Sequence, residues 1–179
     1  MALKKIYIFV EGNDDERFFK KLISPILKKS YDDVEIIQYA QMKKDKVGLF
    51  LLSVKTLNFD YIFVADIDYF DNVNQKKQYL HKLYSNLADE KLYIAVMEIE
   101  SWYLAGLKDS TAKQLGIFYK GHTNDVTKED FNHIHRTKFT SRIDFMNELL
   151  KIYSFDTAID KNDSFHFFFN NFLRDYYYV

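Results

Sequence analysis

Apolar and polar positions alternate between two periods over the first hundred residues. "KIYIFVE" (5–11) is rich in β-branched and aromatic side chains, the pattern of a buried strand. "DDERFFKKLISPILKK" (14–29) places Phe18, Phe19, Leu22, Ile23, Ile26 and Leu27 at helical spacing. Asn13 and Glu16 are spaced as a capping box at its start, and Pro25 is expected to kink or break it. "VEIIQYA" (34–40) reads as a second strand and residues 45–57 as a second helix. "DYIFVADID" (60–68) is the third strand, 73–88 the third helix and "KLYIAVME" (91–98) the fourth strand. Strands alternating with helices predict βαβ units and a sheet covered on both faces. The expected class is α/β, Rossmann-like, with a mainly parallel sheet of about four strands.

Past about residue 107 the pattern changes. "KGHTNDVTKED" (120–130) is polar and turn-like, no further strong strand follows, and 140–153 and 164–176 have helical spacing before the closing "DYYYV". With no linker between the halves, the expectation is an α/β core over 1–107 and a helical C-terminal cap over 108–179 packed on it.

In open parallel sheets ligands bind beyond the carboxyl ends of the strands. Glu11 and Asp66 stand at such ends, with Asp68 just beyond, Asp15 four residues after Glu11, and Glu98 and Glu100 after the fourth strand. If the first and third strands are neighbours, Glu11 and Asp66 converge. Two carboxylates about 4 Å apart repel by roughly 4 kcal/mol at an effective dielectric near 20. Such a group needs either protonation or a compensating cation, for which Mg²⁺ or Mn²⁺ has the right preference for oxygen ligands. Taken singly these acids have plainer uses: Asp14, Asp15 and Glu16 suit a helix first turn, and Asp71 with Asn72 suits a turn. Only the combination of Glu11, Asp66 and Asp68 carries the metal reading. Gly12 fits a tight strand-to-helix turn.

Composition narrows the classes. Of 179 residues 47% are hydrophobic and 28% charged, with 17 Phe and 14 Tyr to fill a core, which is a globular composition. The absence of cysteine excludes disulfides, zinc–thiolate sites and thiol nucleophiles. A net charge of −1 gives no global basic field, so nucleic acid would need a local patch of Lys and Arg. The apolar run of "MALKKIYIFVEG" is too short for a signal peptide or a membrane span, and a soluble, cytoplasmic protein is expected.

Weaker candidates are His122, His133 and His135, of which the last two have a transition-metal spacing, and the cluster Arg136, Lys138 and Arg142, which could pair with phosphates. Trp102, followed by Tyr103, reads as core before it reads as a base-stacking platform.

"YIFVEGNDDERFF" followed by "FVADID" resembles a Toprim domain, the fold shared by topoisomerases, primases and OLD-family nucleases. The matching residues are Glu11 with Gly12, Asp66 and Asp68 as Asp-x-Asp, and Asp15 as the nuclease branch's further acid. "MEIESWYLAG" (97–106), through Glu100 and Trp102, and "DSFHFFFNNFLRD" (163–175) resemble segments of small bacterial Toprim-like proteins. The resemblance implies Mg²⁺- or Mn²⁺-dependent phosphodiester chemistry on DNA or RNA, as in a nuclease. Glu11, Asp66 and Asp68 would hold metal, and Asp15 and Glu100 would be further ligands or a general base.

Two other functions compete. One is a Toprim-like binding module, weak or inactive in catalysis, working with a protein partner or a second copy of itself; the near-neutral charge favours it. The other is a receiver-type phosphoacceptor, which needs Ser or Thr after the fourth strand and Lys after a fifth. Here Glu98, Ile99 and Glu100 follow the fourth, and no fifth is evident.

Overall fold

The computed structural model describes residues 3–117, 119 and 121–179; the side chains of 135–138 lie outside the described residues. The chain forms two compact units, one of residues 1–94 with 173–179 and one of residues 95–172.

The first unit is built on β1 (Lys5–Val10), whose Ile6, Ile8, Phe9 and Val10 are all but inaccessible to solvent, as the unbroken apolar run requires. After β1 come α1 (Asn13–Phe18), α2 (Ser24–Leu27), β2 (Asp33–Gln38), α3 (Lys44–Thr56), β3 (Asp60–Asp66), α4 (Val73–Leu83) and β4 (Leu92–Ala95). The four strands are parallel, in the order β2-β1-β3-β4. The register pairs Ile6 with Asp60 through Phe9 with Phe63, so β1 and β3 end side by side. This is the Rossmann-like α/β sheet that the strand–helix alternation predicts. In its core Phe63 stacks on Phe9 at 5.8 Å and on Tyr39 at 4.3 Å, with Leu51, Val54 and Leu80 packed in the same cluster.

Local details differ from the pattern-based expectations. The helix through Pro25 is not broken. A π-turn over Phe19–Ile23 links α1 to α2, and its wider hydrogen-bonding ring accommodates a residue that has no N–H and crowds the preceding turn. The cap of α1 is Gly12, whose N–H donates to Asp15 Oδ2 at 3.2 Å. Asn13 and Glu16 instead both accept from the Gln38 amide, which ties the start of α1 to the end of β2. Gly12 has an extended backbone (φ −147°), and a Cβ there would meet only Asp15 Oδ2 at 3.9 Å, so neither geometry nor space demands glycine. β4 ends at Ala95 rather than 98 because Met97 adopts φ 64° and the chain turns into the next helix. In the C-terminal segment Tyr176 shares a 2.8 Å hydroxyl contact with Tyr31, whose own hydroxyl donates to Asp60 at 2.8 Å.

The second unit holds α5 (Ile99–Ala105), α6 (Asp109–Leu115), α7 (Lys128–Lys138), α8 (Arg142–Lys151), α9 (Phe155–Lys161) and α10 (Asp163–Phe168). A further π-turn (Phe169–Leu173) leads to α11 (Arg174–Tyr177) of the first unit. Ser141, Ser154 and Asn162 cap α8, α9 and α10 by accepting from Asp144, Thr157 and Phe165 N–H groups. The core is aromatic: Trp102 stacks on Phe168 at 5.2 Å and donates its indole N–H to Ser164 Oγ at 2.8 Å. Phe131 packs against Tyr103 and Phe145. Among the described residues no helix is long and apolar enough to cross a membrane.

Candidate functional site

Glu11 follows β1, and Asp66 is the last residue of β3, so the neighbouring strands deliver them to one edge of the sheet. The Asp66 N–H and the Tyr39 hydroxyl, the latter at 2.9 Å, both donate to the Glu11 carboxylate. Buried Ile67 anchors the chain beyond β3, and Asp68 then turns outward with φ 53°. Left-handed backbone at a non-glycine residue is uncommon, and aspartate is among the side chains that tolerate it.

Lys76 of α4 reaches back to the same place. It is 3% exposed, its Nζ bonds Asp68 Oδ2 and lies 3.8 Å from Glu11 Oε1, and it sits 5.6 Å from the centre of the Phe70 ring. The Glu11 side chain is 25% exposed and that of Asp68 43%, so both stay open to solvent on their outer side. Burial pushes the Glu11 carboxyl above its ordinary range. The Lys76 charge opposes that shift, Asp68 adds to it, and the Tyr39 and Asp66 hydrogen bonds oppose it. Burial also holds the Tyr39 phenol well above its usual value, reinforced by the charges of Glu11, Asp15 and Asp66. Asp15 is buried beside them, fixed to the Gly12 N–H. The structure therefore gathers Glu11, Asp15, Asp66 and Asp68 about Tyr39 and Lys76.

Protonation or a bound divalent ion would relieve carboxylate repulsion here. The structure adds a third means, an ammonium from the chain itself. Among the described residues no three His, Asp or Glu side chains are arranged to hold a metal ion. The donor chemistry nevertheless suits Mg²⁺ or Mn²⁺, since every candidate ligand is a carboxylate. One lysine also brings a single positive charge against the two carboxylates it touches, before Asp66 and Asp15 are counted.

Glu100 belongs to the second unit. It is 2% exposed, and its Oε1 accepts from Arg142 Nη2. The Arg142 Nε donates to Asn132 Oδ1 at 2.8 Å, and the guanidinium lies over Phe131. Burial raises the Glu100 carboxyl, and the Arg142 charge offsets part of that. Glu98 Oε2 accepts from the Lys128 N–H at 2.7 Å, at the start of α7. His122 and His133 line a cavity of about 650 Å³ with Asp125 and Asp130. The candidates His135, Arg136 and Lys138 have side chains outside the described residues. Trp102 is fully buried, as its core reading expects.

Sequence reasoning missed Tyr39, Lys76 and two surface features. Tyr69, next to Asp68, is 80% exposed. Lys43, Lys44 and Lys46 are exposed at the start of α3, beyond the carboxyl end of β2 and so on the edge that carries Glu11. One signal for Lys76 was available: Val73, Lys76, Leu80 and Leu83 form a helical stripe in which a lysine fills an apolar position.

Compared with protein-family models, curated proteins and solved structures, the chain matches none. Fold and site together define a class: a Rossmann-like α/β protein with an acidic cluster at its strand ends.

Proposed function

We propose that this chain performs divalent-metal-dependent phosphodiester chemistry on nucleic acid, as a Toprim-type nuclease. Glu11, Asp66 and Asp68 are its ligands for Mg²⁺ or Mn²⁺, with Asp15 beside them. The observation that carries the reading is the meeting of Glu11 with Asp66 through a backbone hydrogen bond and with Asp68 through Lys76. A bound divalent ion would activate water and stabilise the charge on a leaving oxygen.

The chain's own residues prepare the site. Tyr39 holds the Glu11 carboxylate in place from a buried, stacked ring. Asp68, on a turn and 43% exposed, is open to a ligand on the side away from Lys76. Lys43, Lys44 and Lys46 provide the local basic patch that the near-neutral net charge calls for. Glu100 is engaged by Arg142, and we assign the pair to joining α5 to α8 rather than to this chemistry.

Cleavage of labelled DNA and RNA with added Mn²⁺ tests the proposal. Activity that disappears in chelator and in Asp66→Ala is the expected result; activity undiminished in either rejects it. The binding-module reading is favoured by one observation, that Lys76 already neutralises part of the cluster. Nucleic-acid binding without turnover in Mn²⁺ would select that reading.

A further inference from the structure

We propose that Lys76 is a resident stand-in for the divalent ion, leaving Glu11 and Asp68 when the ion enters. This rests on the metal-dependent reading of the same site and deepens it.

A lysine that is 3% exposed is an expensive feature, because an ammonium loses most of its hydration on burial. It persists here because its charge meets Asp68 Oδ2 directly and Glu11 Oε1 at 3.8 Å, and because the Phe70 ring adds a cation–π contact. Both oxygens belong to carboxylates assigned above to the metal. An ammonium and a divalent ion held on the same oxygens would repel twice as strongly as two unit charges at the same distance, which favours departure of the ammonium as the ion enters.

The surroundings permit that exchange. The Lys76 charge is carried on a flexible four-carbon stem. Asp68, its closest partner, has a side chain 43% exposed on a turn rather than in a strand, so the path out passes through the least constrained part of the site. Without metal, Lys76 keeps the carboxylates from repelling one another. With metal, the released ammonium remains tethered beside the site, where a phosphate oxygen is a fitting new partner.

The wild-type protein can be tested directly. A small amine-acylating reagent is applied in chelator and in saturating Mn²⁺, and labelled lysines are mapped by peptide mass spectrometry. Lys76 is expected to be inert in chelator and to become labelled with Mn²⁺. Calorimetry with Mn²⁺ alone is run in parallel on wild type and Lys76→Met, and the variant is expected to bind about tenfold more tightly or better, as removal of a competing like charge requires. Loss of charge alone would also tighten binding, so the labelling separates displacement from simple repulsion. Mn²⁺ heat in the wild type with Lys76 still inert at saturation overturns this proposal and leaves the metal reading standing. Absence of Mn²⁺ binding in both proteins overturns the metal reading and this proposal with it. Binding in Lys76→Met but not in wild type also overturns the proposal, since the ion then fails to displace the lysine.

Discussion

Tyr39 donates its hydroxyl to Glu11 Oε1 at 2.9 Å from a ring stacked 4.3 Å over Phe63. That bond joins the end of β2 to the end of β1 and favours the ionised form of Glu11 against burial. Tyr39→Phe keeps the stacking and removes the donor. A hydrogen bond to a charged group is worth about 1.5–3 kcal/mol, and a neutral one about half that. The variant is therefore expected to lose that larger amount at neutral pH, and less in acid where Glu11 is protonated. Urea unfolding of both proteins in chelator across the acid-to-neutral range measures it; a cost independent of pH would show that Tyr39 does not serve the Glu11 charge.

Glu11 itself has a folded-state pKa above its ordinary 4.5, with burial as the leading cause. Such a group contributes stability fully present below its unfolded pKa and lost as pH rises through the folded value. Glu11→Gln, which resembles the neutral acid, is expected to melt higher than wild type at neutral pH in metal-free buffer. The two should converge below about pH 4, where both carry a neutral group. Thermal melts in chelator decide it, and a variant that melts lower at neutral pH would mean that Lys76 outweighs burial. Adding Mn²⁺ should narrow the neutral-pH gap by stabilising the wild type alone.

Glu100 and Arg142 form the corresponding pair in the helical unit, with side chains 3% and 23% exposed. Removing one partner of a buried pair leaves the other charge uncompensated, at a cost of about 3–5 kcal/mol, and the partial exposure of Arg142 places this pair at the lower end. Arg142→Met is expected to destabilise by about 3 kcal/mol in urea unfolding, while Glu100→Gln with Arg142→Met recovers most of it. Additive losses in the double variant would show that the two side chains do not act as a pair.

How much of this was legible in the sequence depended on how each element signals itself. β1 and β3 are buried on both faces, so their apolar runs stand out without any knowledge of neighbours. Convergence of Glu11 with Asp66 could be read only conditionally, because it requires β1 beside β3, and strand order is not written in a periodicity. Helices α6, α7 and α9 escaped notice because they are short and polar; α6 and α9 each bury a lone alanine, Ala112 and Ala158, too little to produce a stripe. Pro25 announced a kink or a break, but nothing in the spacing announced the π-turn over Phe19–Ile23 that precedes it. Lys76 was hidden by its residue type: a lysine on a helix is read as solvated, and only the spacing to Val73 and Leu80 places it inward.

Tyr69 is 80% exposed, yet its ring is ordered against Phe70, with centroids 4.6 Å apart and planes 26° from parallel. If the chain acts on nucleic acid as proposed, the exposed aromatic face beside Asp68 would stack on a nucleobase. Tyr69→Ala is expected to weaken single-stranded oligonucleotide binding by about 1–3 kcal/mol in fluorescence anisotropy, with thermal stability little changed. Trp102 supplies the contrast, being fully buried. Its emission should keep a buried wavelength at saturating oligonucleotide, and a quenched or red-shifted spectrum would contradict its place in the core.

Gly106, which ends α5, is constrained by its neighbour rather than by its backbone. Its φ of −74° suits any residue, but a Cβ there would lie 2.2 Å from the Tyr153 ring. That ring cannot simply retreat: it is half-buried, its hydroxyl donates to the Trp102 carbonyl at 3.0 Å, and the adjoining Ser154 N–H donates to the Gly106 carbonyl at 2.9 Å. Overpacking of this kind costs about 1–3 kcal/mol, so Gly106→Ala is expected to lower stability by that amount despite alanine's better helix propensity. Tyr153→Leu alone should also destabilise, by cavity formation and loss of the hydroxyl bond. Combined with Gly106→Ala it should cost less than the sum, because the smaller side chain makes room for the new methyl. Urea unfolding of the four proteins closes the cycle, and strict additivity would show that the glycine is held for a reason other than the tyrosine.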